Sequence, residues 1–194
     1  MRGQIERRQT VDVVYMRPYA FLDRDGTVIV ERNYLGDPAG VELLPGAADG
    51  MHRLVALGYG LVLITNQAGV GRGYYDESAV HAVHGRLTEL LAAAGLILDG
   101  VYYCPHHPDA GCECRKPKLG MFLQAQAELP VDVARSVMVG DKPSDIGFGK
   151  AVGLRTVLVE TGYGAAHGAG VDADAVVPDL LAAAEWLATR EETP

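Results

Sequence analysis

Apolar runs that stop abruptly on polar, chemistry-bearing residues organise this chain. Tyr19-Ala20-Phe21-Leu22 leads into Asp23-Arg24-Asp25-Gly26. Leu61-Val62-Leu63-Ile64 leads into Thr65-Asn66-Gln67, and Ser136-Val137-Met138-Val139-Gly140 into Asp141. Continuous apolarity over four or five residues is the pattern of a strand buried on both faces. Between these runs lie helical stretches at 46–57, 77–94, 119–129, 144–152 and 179–189. Gly58 and Gly95 stop the first two, and Asp76 opens the second. Residues 101–103 and 156–159 read as further strands, and 175–177 as an edge strand. Residues 28–45 are too irregular for a long helix, with turn signals at Gly36-Asp37-Pro38 and Pro45-Gly46. Gly162, Gly164, Gly168 and Gly170 mark a loop.

Strands alternating with helices predict an α/β fold: a Rossmann-like, doubly wound parallel sheet with helices on both faces. Ligands of such sheets bind beyond the carboxyl ends of the strands. Asp23, Thr65 and Asp141 all stand at those ends, so three distant segments can meet at one site. No inserted stretch is long enough for a large cap domain, which predicts an open site with specificity set by loops. The expected organisation is an N-terminal extension over residues 1–17 and a single domain over 18–194. Arg2, Arg7, Arg8 and Arg17 face Glu6 and Asp12 in the extension without a strong period, and residues 1–15 are expected to be dispensable.

Bulk properties exclude some classes. At 194 residues the chain can bury a real core, and 48% hydrophobic with 22% charged residues is ordinary for a globular protein. A net charge of −8 argues against a nucleic-acid or membrane-surface partner, but local Lys and Arg can still hold a phosphorylated substrate. No run reaches membrane-spanning length and the N-terminus lacks a signal-peptide core, so the cytoplasm is the expected compartment. Three cysteines fit a disulfide framework poorly.

Asp23 and Asp25 are two apart on an extended segment and so share a side. Such carboxylates can ligate a hard cation, attack an electrophile or transfer a proton. A calcium loop is the rival, but a loop register starting at Phe21 puts Phe21 and Arg32 where carboxylates are needed. The Thr65 hydroxyl, followed by Gly69, Gly71 and Gly73, suits a phosphate oxygen. Those glycines are spaced G-x-G-x-G, which is not a dinucleotide fingerprint, and a merely mobile loop is the plain alternative. Lys116 can neutralise a phosphoryl group and Arg115 can grip a second oxyanion; with Lys118, they can equally form a solvated surface. Asp141 can complete a magnesium site with Asp23, while Asp145 reads first as a helix-end charge. Cys104, Cys112 and Cys114, with His106 or His107, form the pattern of a closed tetrahedral zinc site, structural because no position is left for water. Free reduced cysteines are the alternative.

Taken in order, these segments resemble the signatures of the haloacid dehalogenase-like (HAD-like) phosphohydrolases, beginning with D-x-D-G-T at residues 23–27 and spanning 19–152. The resemblance implies that Asp23 attacks phosphorus to form an aspartyl phosphate and that Asp25 is the general acid and base. It implies that Thr65 and Lys116 hold the phosphoryl group, and that magnesium is bound by Asp23, the Asp25 carbonyl and Asp141. It also selects His106 over His107 as the fourth zinc ligand, so that the zinc staples the loop just before Arg115 and Lys116.

Within that superfamily the zinc loop is similar to those of the heptose bisphosphate phosphatases and of the related histidinol-phosphatases. The stretch Thr65-Asn66-Gln67-Ala68-Gly69-Val70-Gly71-Arg72-Gly73, the zinc loop with its Arg115-Lys116-Pro117 tail, and Gly140-Asp141-Lys142 favour the heptose branch. That branch implies removal of the C7 phosphate of D-glycero-D-manno-heptose 1,7-bisphosphate, leaving heptose 1-phosphate for nucleotide activation, by a monomer acting on a small phosphorylated sugar. Glu31, Arg32, Asn33, Tyr34, Asn66, Gln67, Ala68, Arg115 and Lys142 would contact substrate. Glu31-Arg32-Asn33-Tyr34 departs from the usual D-H-G-Y of the branch. Histidinol phosphate is the alternative substrate, and a non-catalytic zinc module that binds phosphorylated ligands is the reading from another class.

Overall fold

The computed structural model describes residues 15–168 and 170–191. Six strands form one parallel sheet: β1 (Tyr19–Leu22), β2 (Gly60–Asn66), β3 (Gly100–Cys104), β4 (Val137–Gly140), β5 (Arg155–Val159) and β6 (Ala175–Val177). Their order is β3-β2-β1-β4-β5-β6, with every pair parallel. The chain steps outward from β1 through β2 to β3, then returns to the other side of β1 with β4. That reversal opens a crevice beyond the carboxyl ends of β1 and β4. The expected doubly wound α/β fold is the observed one, and no connection among the described residues is long enough to build a large cap.

Alternation along the central strands divides the core between the two faces. Ala20, Leu22, Leu61, Leu63, Val137 and Val139 point to one face. There they meet α1 (Ala47–Ala56), α3 (Glu77–Ala93) and α7 (Leu180–Glu191) through Met51, Leu54, Leu87, Leu91, Ala184 and Leu187. Tyr19, Phe21, Val62, Ile64 and Met138 point to the other, against α4 (Gly120–Glu128) and α5 (Pro143–Val152). Phe21 lies 5.6 Å from the Phe122 ring, a tilted pair at the centre of that face.

Register sets what meets at the strand ends. Leu22 pairs with Leu63 on one side and Val139 on the other. The Asp23 backbone N–H still donates to the Val139 carbonyl at 3.0 Å, so Asp23 leaves the sheet beside Gly140 and next to Asp141. β2 is longer than its apolar run: Thr65 and Asn66 pair with Tyr103 and Cys104, which ties them to the start of the cysteine loop.

Two expected loops are helical instead. Residues Ala68–Gly71 form a short helix, α2, rather than a mobile glycine loop. The Gly71 N–H donates to the Pro105 carbonyl at 2.8 Å, and a Cβ at Gly71 would stand 2.1 Å from the His107 nitrogen. These glycines permit close packing on the cysteine loop, not mobility. Gly164–His167 close one further helical turn, α6, in which Ala165 and Ala166 favour the helix and the Gly168 N–H bonds back to Gly164.

Most of the expected N-terminal extension lies outside the described residues. Arg17 is already tied in: its N–H donates to Pro130, its carbonyl accepts from Asp132, and its guanidinium meets Asp99 at 3.3 Å.

Candidate active site

A cavity of about 230 Å³ opens beyond the carboxyl ends of β1, β2 and β4. Asp23, Asp25, Glu31, Thr65, Lys116 and Lys142 line it, as do Asn33, Tyr34, Asn66, Gln67, Ala68 and Arg115. Four segments read from the sequence therefore converge on one space.

At the floor, Asp23 is buried and its Oδ1 accepts from Lys116 Nζ at 2.8 Å. Lys116 Nζ also meets Asp145 Oδ1 at 2.7 Å and donates to the Ile64 carbonyl at 2.7 Å, so all three of its N–H bonds are engaged. Burial opposes ionisation of Asp23, yet Lys116 and Lys142 hold its carboxyl below the usual range. The adjacent acid behaves oppositely. Burial pushes Asp25 above the usual carboxylate range; Arg24 pulls it down, and the Asp23 charge pushes it up again. Lys142 Nζ lies 3.2 Å from Glu31 and 3.6 Å from Asp141, over the Tyr163 ring.

Asp141 is fully buried. Its Oδ2 accepts the Tyr163 N–H at 2.9 Å, while its Oδ1 has no hydrogen-bond partner. Backbone closes tightly over it: Gly26, at φ +84°, would place a Cβ 2.3 Å from Asp141 Oδ2. Lys142 Nζ, 3.6 Å away, is the nearest cation to that oxygen but too far to hydrogen-bond it, and a buried carboxylate oxygen without a close partner is costly. One oxygen each from Asp23, Asp141 and Asp145 lies within 4.8 Å of the others. Three carboxylates facing two lysines, with hard oxygen donors throughout, fit a magnesium ion. Asp145, read first as a helix-end charge, is both: its Oδ2 caps α5 through the Lys142 N–H at 3.0 Å, and its Oδ1 faces Lys116. The Asp25 side chain stands outside this cluster, bonded to Arg24 and Gln67.

Beside the cavity, Cys104, His106, Cys112 and Cys114 offer ligand atoms that all lie within 4.8 Å of one another. Cys104 Sγ to Cys112 Sγ is 3.6 Å, Cys112 Sγ to Cys114 Sγ 3.6 Å, and Cys104 Sγ to His106 Nδ1 3.6 Å. Zinc–sulfur bonds of about 2.3 Å give tetrahedral edges of about 3.8 Å, so this donor set fits zinc. Burial opposes ionisation of Cys112, but the Arg115 backbone N–H and the neighbouring thiols bring it down to about 7. His107 turns away, to Asp109.

Some expected residues sit differently from the expectation. Arg32 is not among those lining the cavity: its guanidinium is exposed and bonds to the Gly40 carbonyl at 2.9 Å and Glu42 at 2.6 Å. The Glu42 carboxylate and the Gly40 carbonyl, both outside the site, engage its fork there. Asn66 lines the cavity, but its amide is engaged with the Lys116 backbone. Tyr75, Ser144 and Tyr163 line the cavity without having been singled out from the sequence. Ser144, within Gly140-Asp141-Lys142-Pro143-Ser144-Asp145, was the one with a local signal. At the rim, Asn33 and Tyr34 adopt left-handed backbone at φ 51° and 69°, rare for non-glycine residues. The Tyr34 ring packs 5.1 Å from Tyr74 with Arg72 over its face.

A protein named D-glycero-D-manno-heptose-1,7-bisphosphate 7-phosphatase from Thermosynechococcus vestitus is 40% identical over 190 residues, covering 90% of this chain and 97% of its own. The chain belongs to the heptose-bisphosphate phosphatase family. An Escherichia coli K12 relative, named for the β anomer of the same bisphosphate, is 38% identical over 178 residues, 88% of this chain and 87% of its own. The HAD-hydrolase-like family profile matches residues 113–183. The crystal structure of the D,D-heptose 1,7-bisphosphate phosphatase from B. bronchiseptica, complexed with magnesium and phosphate, superposes with a TM-score of 0.82. It is 35% identical, over 89% of this chain and 99% of that one. Among the described residues no helix is long and apolar enough to cross a membrane.

Proposed function

We propose that this chain is a magnesium-dependent phosphatase that removes the C7 phosphate of D-glycero-D-manno-heptose 1,7-bisphosphate and releases heptose 1-phosphate. The observation that carries the reading is geometric: Asp23, Asp25, Thr65 and Lys116 line one cavity, with Asp23 Oδ1 2.8 Å from Lys116 Nζ, and the two acids are tuned in opposite directions. Asp23 is held ionised against Lys116 and Lys142, as a nucleophile requires, while burial raises Asp25, as a proton donor requires.

In the first step a carboxylate oxygen of Asp23 attacks phosphorus, the bond to the C7 oxygen breaks, and Asp25 gives its proton to that oxygen. In the second, Asp25 takes a proton from water, the water oxygen attacks phosphorus, and the Asp23 carboxylate leaves. Thr65 donates to the transferring phosphoryl group, and Lys116, bonded to Asp23, stabilises its charge. Asp23, Asp141 and the Asp25 carbonyl would hold magnesium, which neutralises charge building on the phosphoryl oxygens. Cys104, His106, Cys112 and Cys114 would hold a structural zinc that fixes Arg115 and Lys116.

A bisphosphate needs a second cationic grip. Arg115 lines the cavity, and its buried Nη1 has no hydrogen-bond partner, so it suits the C1 phosphate. Lys142, Glu31, Asn33, Tyr34 and Ala68 form the sugar side, and we assign the protein as a monomer of the cytoplasm. The deciding experiment is steady-state phosphate release with magnesium from the α and β anomers of heptose 1,7-bisphosphate and from histidinol phosphate. Preference for one heptose anomer is expected. Preference for histidinol phosphate would overturn the substrate, and turnover of none would overturn the reaction.

A further inference from the structure

Arg24 lies between the two catalytic acids, and its side chain is 0% exposed. A buried guanidinium must be paired. Arg24 forks onto Asp25, with Nε to Oδ2 at 3.1 Å and Nη2 to Oδ1 at 3.0 Å. Nη2 also donates to Gln67 Oε1 at 2.8 Å. Gln67 then donates from Nε2 to Asp25 Oδ2 at 2.9 Å and to Thr65 Oγ1 at 2.8 Å.

The chemistry of the donors makes this arrangement directional. Arginine has no acceptor, so the carbonyl of the Gln67 amide must face Arg24 and its NH2 must face Asp25 and Thr65. Three N–H bonds thus occupy three of the roughly four lone-pair sites of the Asp25 carboxylate. One site is left, on a side chain that lines the cavity. The Thr65 hydroxyl accepts from Gln67, so its own proton is free to be donated to a phosphoryl oxygen.

Resting on the reading of Asp25 as general acid, we infer that Arg24 and Gln67 are positioning residues: together they aim the one open oxygen site of Asp25 at the leaving group and the Thr65 proton at the phosphoryl group. They act through Asp25 and Thr65, not on the substrate itself. Their effect should therefore scale with how much the leaving oxygen needs a proton.

Arg24→Lys keeps the charge but loses the fork, and Gln67→Met keeps the shape but loses the amide. Each would be assayed with magnesium on heptose bisphosphate, whose leaving group is an alkoxide, and on p-nitrophenyl phosphate, whose leaving group departs without a proton. Asp25→Asn serves as the benchmark. For both variants kcat/KM, which reports only the steps through release of the leaving group, is expected to fall at least about tenfold on the sugar, part of the hundredfold or more that a general acid supplies. On the aryl phosphate the loss should stay under about threefold for Arg24→Lys and, because Gln67 also bonds Thr65, well below the loss on the sugar for Gln67→Met, with folding and zinc content unchanged. Equal losses on both substrates, no loss on either, or loss of folding in both variants would overturn the positioning role while leaving Asp25 in place. Failure of Asp25→Asn itself to discriminate between the substrates would overturn the general-acid reading, and the positioning role with it.

Discussion

The Asn66 side-chain amide clamps the backbone of Lys116 from both sides. Its Oδ1 accepts the Lys116 N–H at 3.0 Å and its Nδ2 donates to the Lys116 carbonyl at 3.2 Å. Fifty residues of chain separate them. The clamp joins the end of β2 to the segment after the cysteine loop and delivers Lys116 Nζ to Asp23. Asn66→Ala should lower kcat about 10- to 100-fold, because small displacements of a catalytic cation are felt strongly. KM and fold should change little. Steady-state kinetics with a thermal melt check this; a change in KM alone would make Asn66 a substrate contact instead.

Asp23→Asn should abolish turnover, by a factor on the order of 10⁴ or more. Lys116 keeps Asp145 and the Ile64 carbonyl as partners, so the fold should persist. Acid-quenched enzyme should carry labelled phosphate in the parent and none in the variant, with equal zinc content in both. Residual phosphoenzyme in the variant would move the nucleophile elsewhere.

Removing zinc should cost activity that magnesium cannot restore. The cluster lies in the loop that feeds Arg115 and Lys116 into the cavity, and the same loop holds Gly71 through Pro105. Metal analysis should find about one zinc per chain, and chelation should lower kcat at least about tenfold. Full activity after complete zinc loss would make the cluster dispensable to the site.

Magnesium should stabilise the protein more at pH 8 than at pH 6. Without metal, burial and then the Asp23 charge raise Asp141 to about 7. Between the ordinary carboxyl range and that value, the folded chain keeps a proton that the unfolded chain has lost. Metal-free stability from this group therefore falls as pH rises to about 7. Below that value the proton competes with magnesium, whose apparent affinity should weaken by up to about tenfold per pH unit. Melts with and without magnesium at the two pH values measure the difference; equal gains would mean Asp141 is ionised throughout.

A chain beginning at Met16 should fold and turn over like the full chain. One beginning at Pro18 should melt about 2–4 °C lower, because Arg17 bonds Pro130 and Asp132 through its backbone and Asp99 through its guanidinium. Calorimetry on both separates the two, and loss of folding in the Met16 chain would place structural residues further upstream.

The elements were largely legible because their signals are local. β1 lies at the apolar run before Asp23, and α3 opens at Asp76, whose side chain accepts the Ala79 N–H. The acids at strand ends and the cysteine spacing were legible for the same reason. Glycine density misled at Ala68–Gly71, where the glycines serve close packing against His107 and Tyr75. By itself, then, the sequence determined a parallel α/β sheet, its reactive strand ends and a zinc-binding pattern, since each follows from periodicity or spacing over a few residues. Only the tertiary structure decided which side chains serve the cavity. It sends Arg32 to Glu42, brings Tyr75 and Tyr163 inward, and gives Asp145 to Lys116. It also closes the Arg24, Asp25 and Gln67 network. Those choices depend on burial and on partners tens of residues away, where an unpaired charge would be costly, and no local pattern of the chain carries that information.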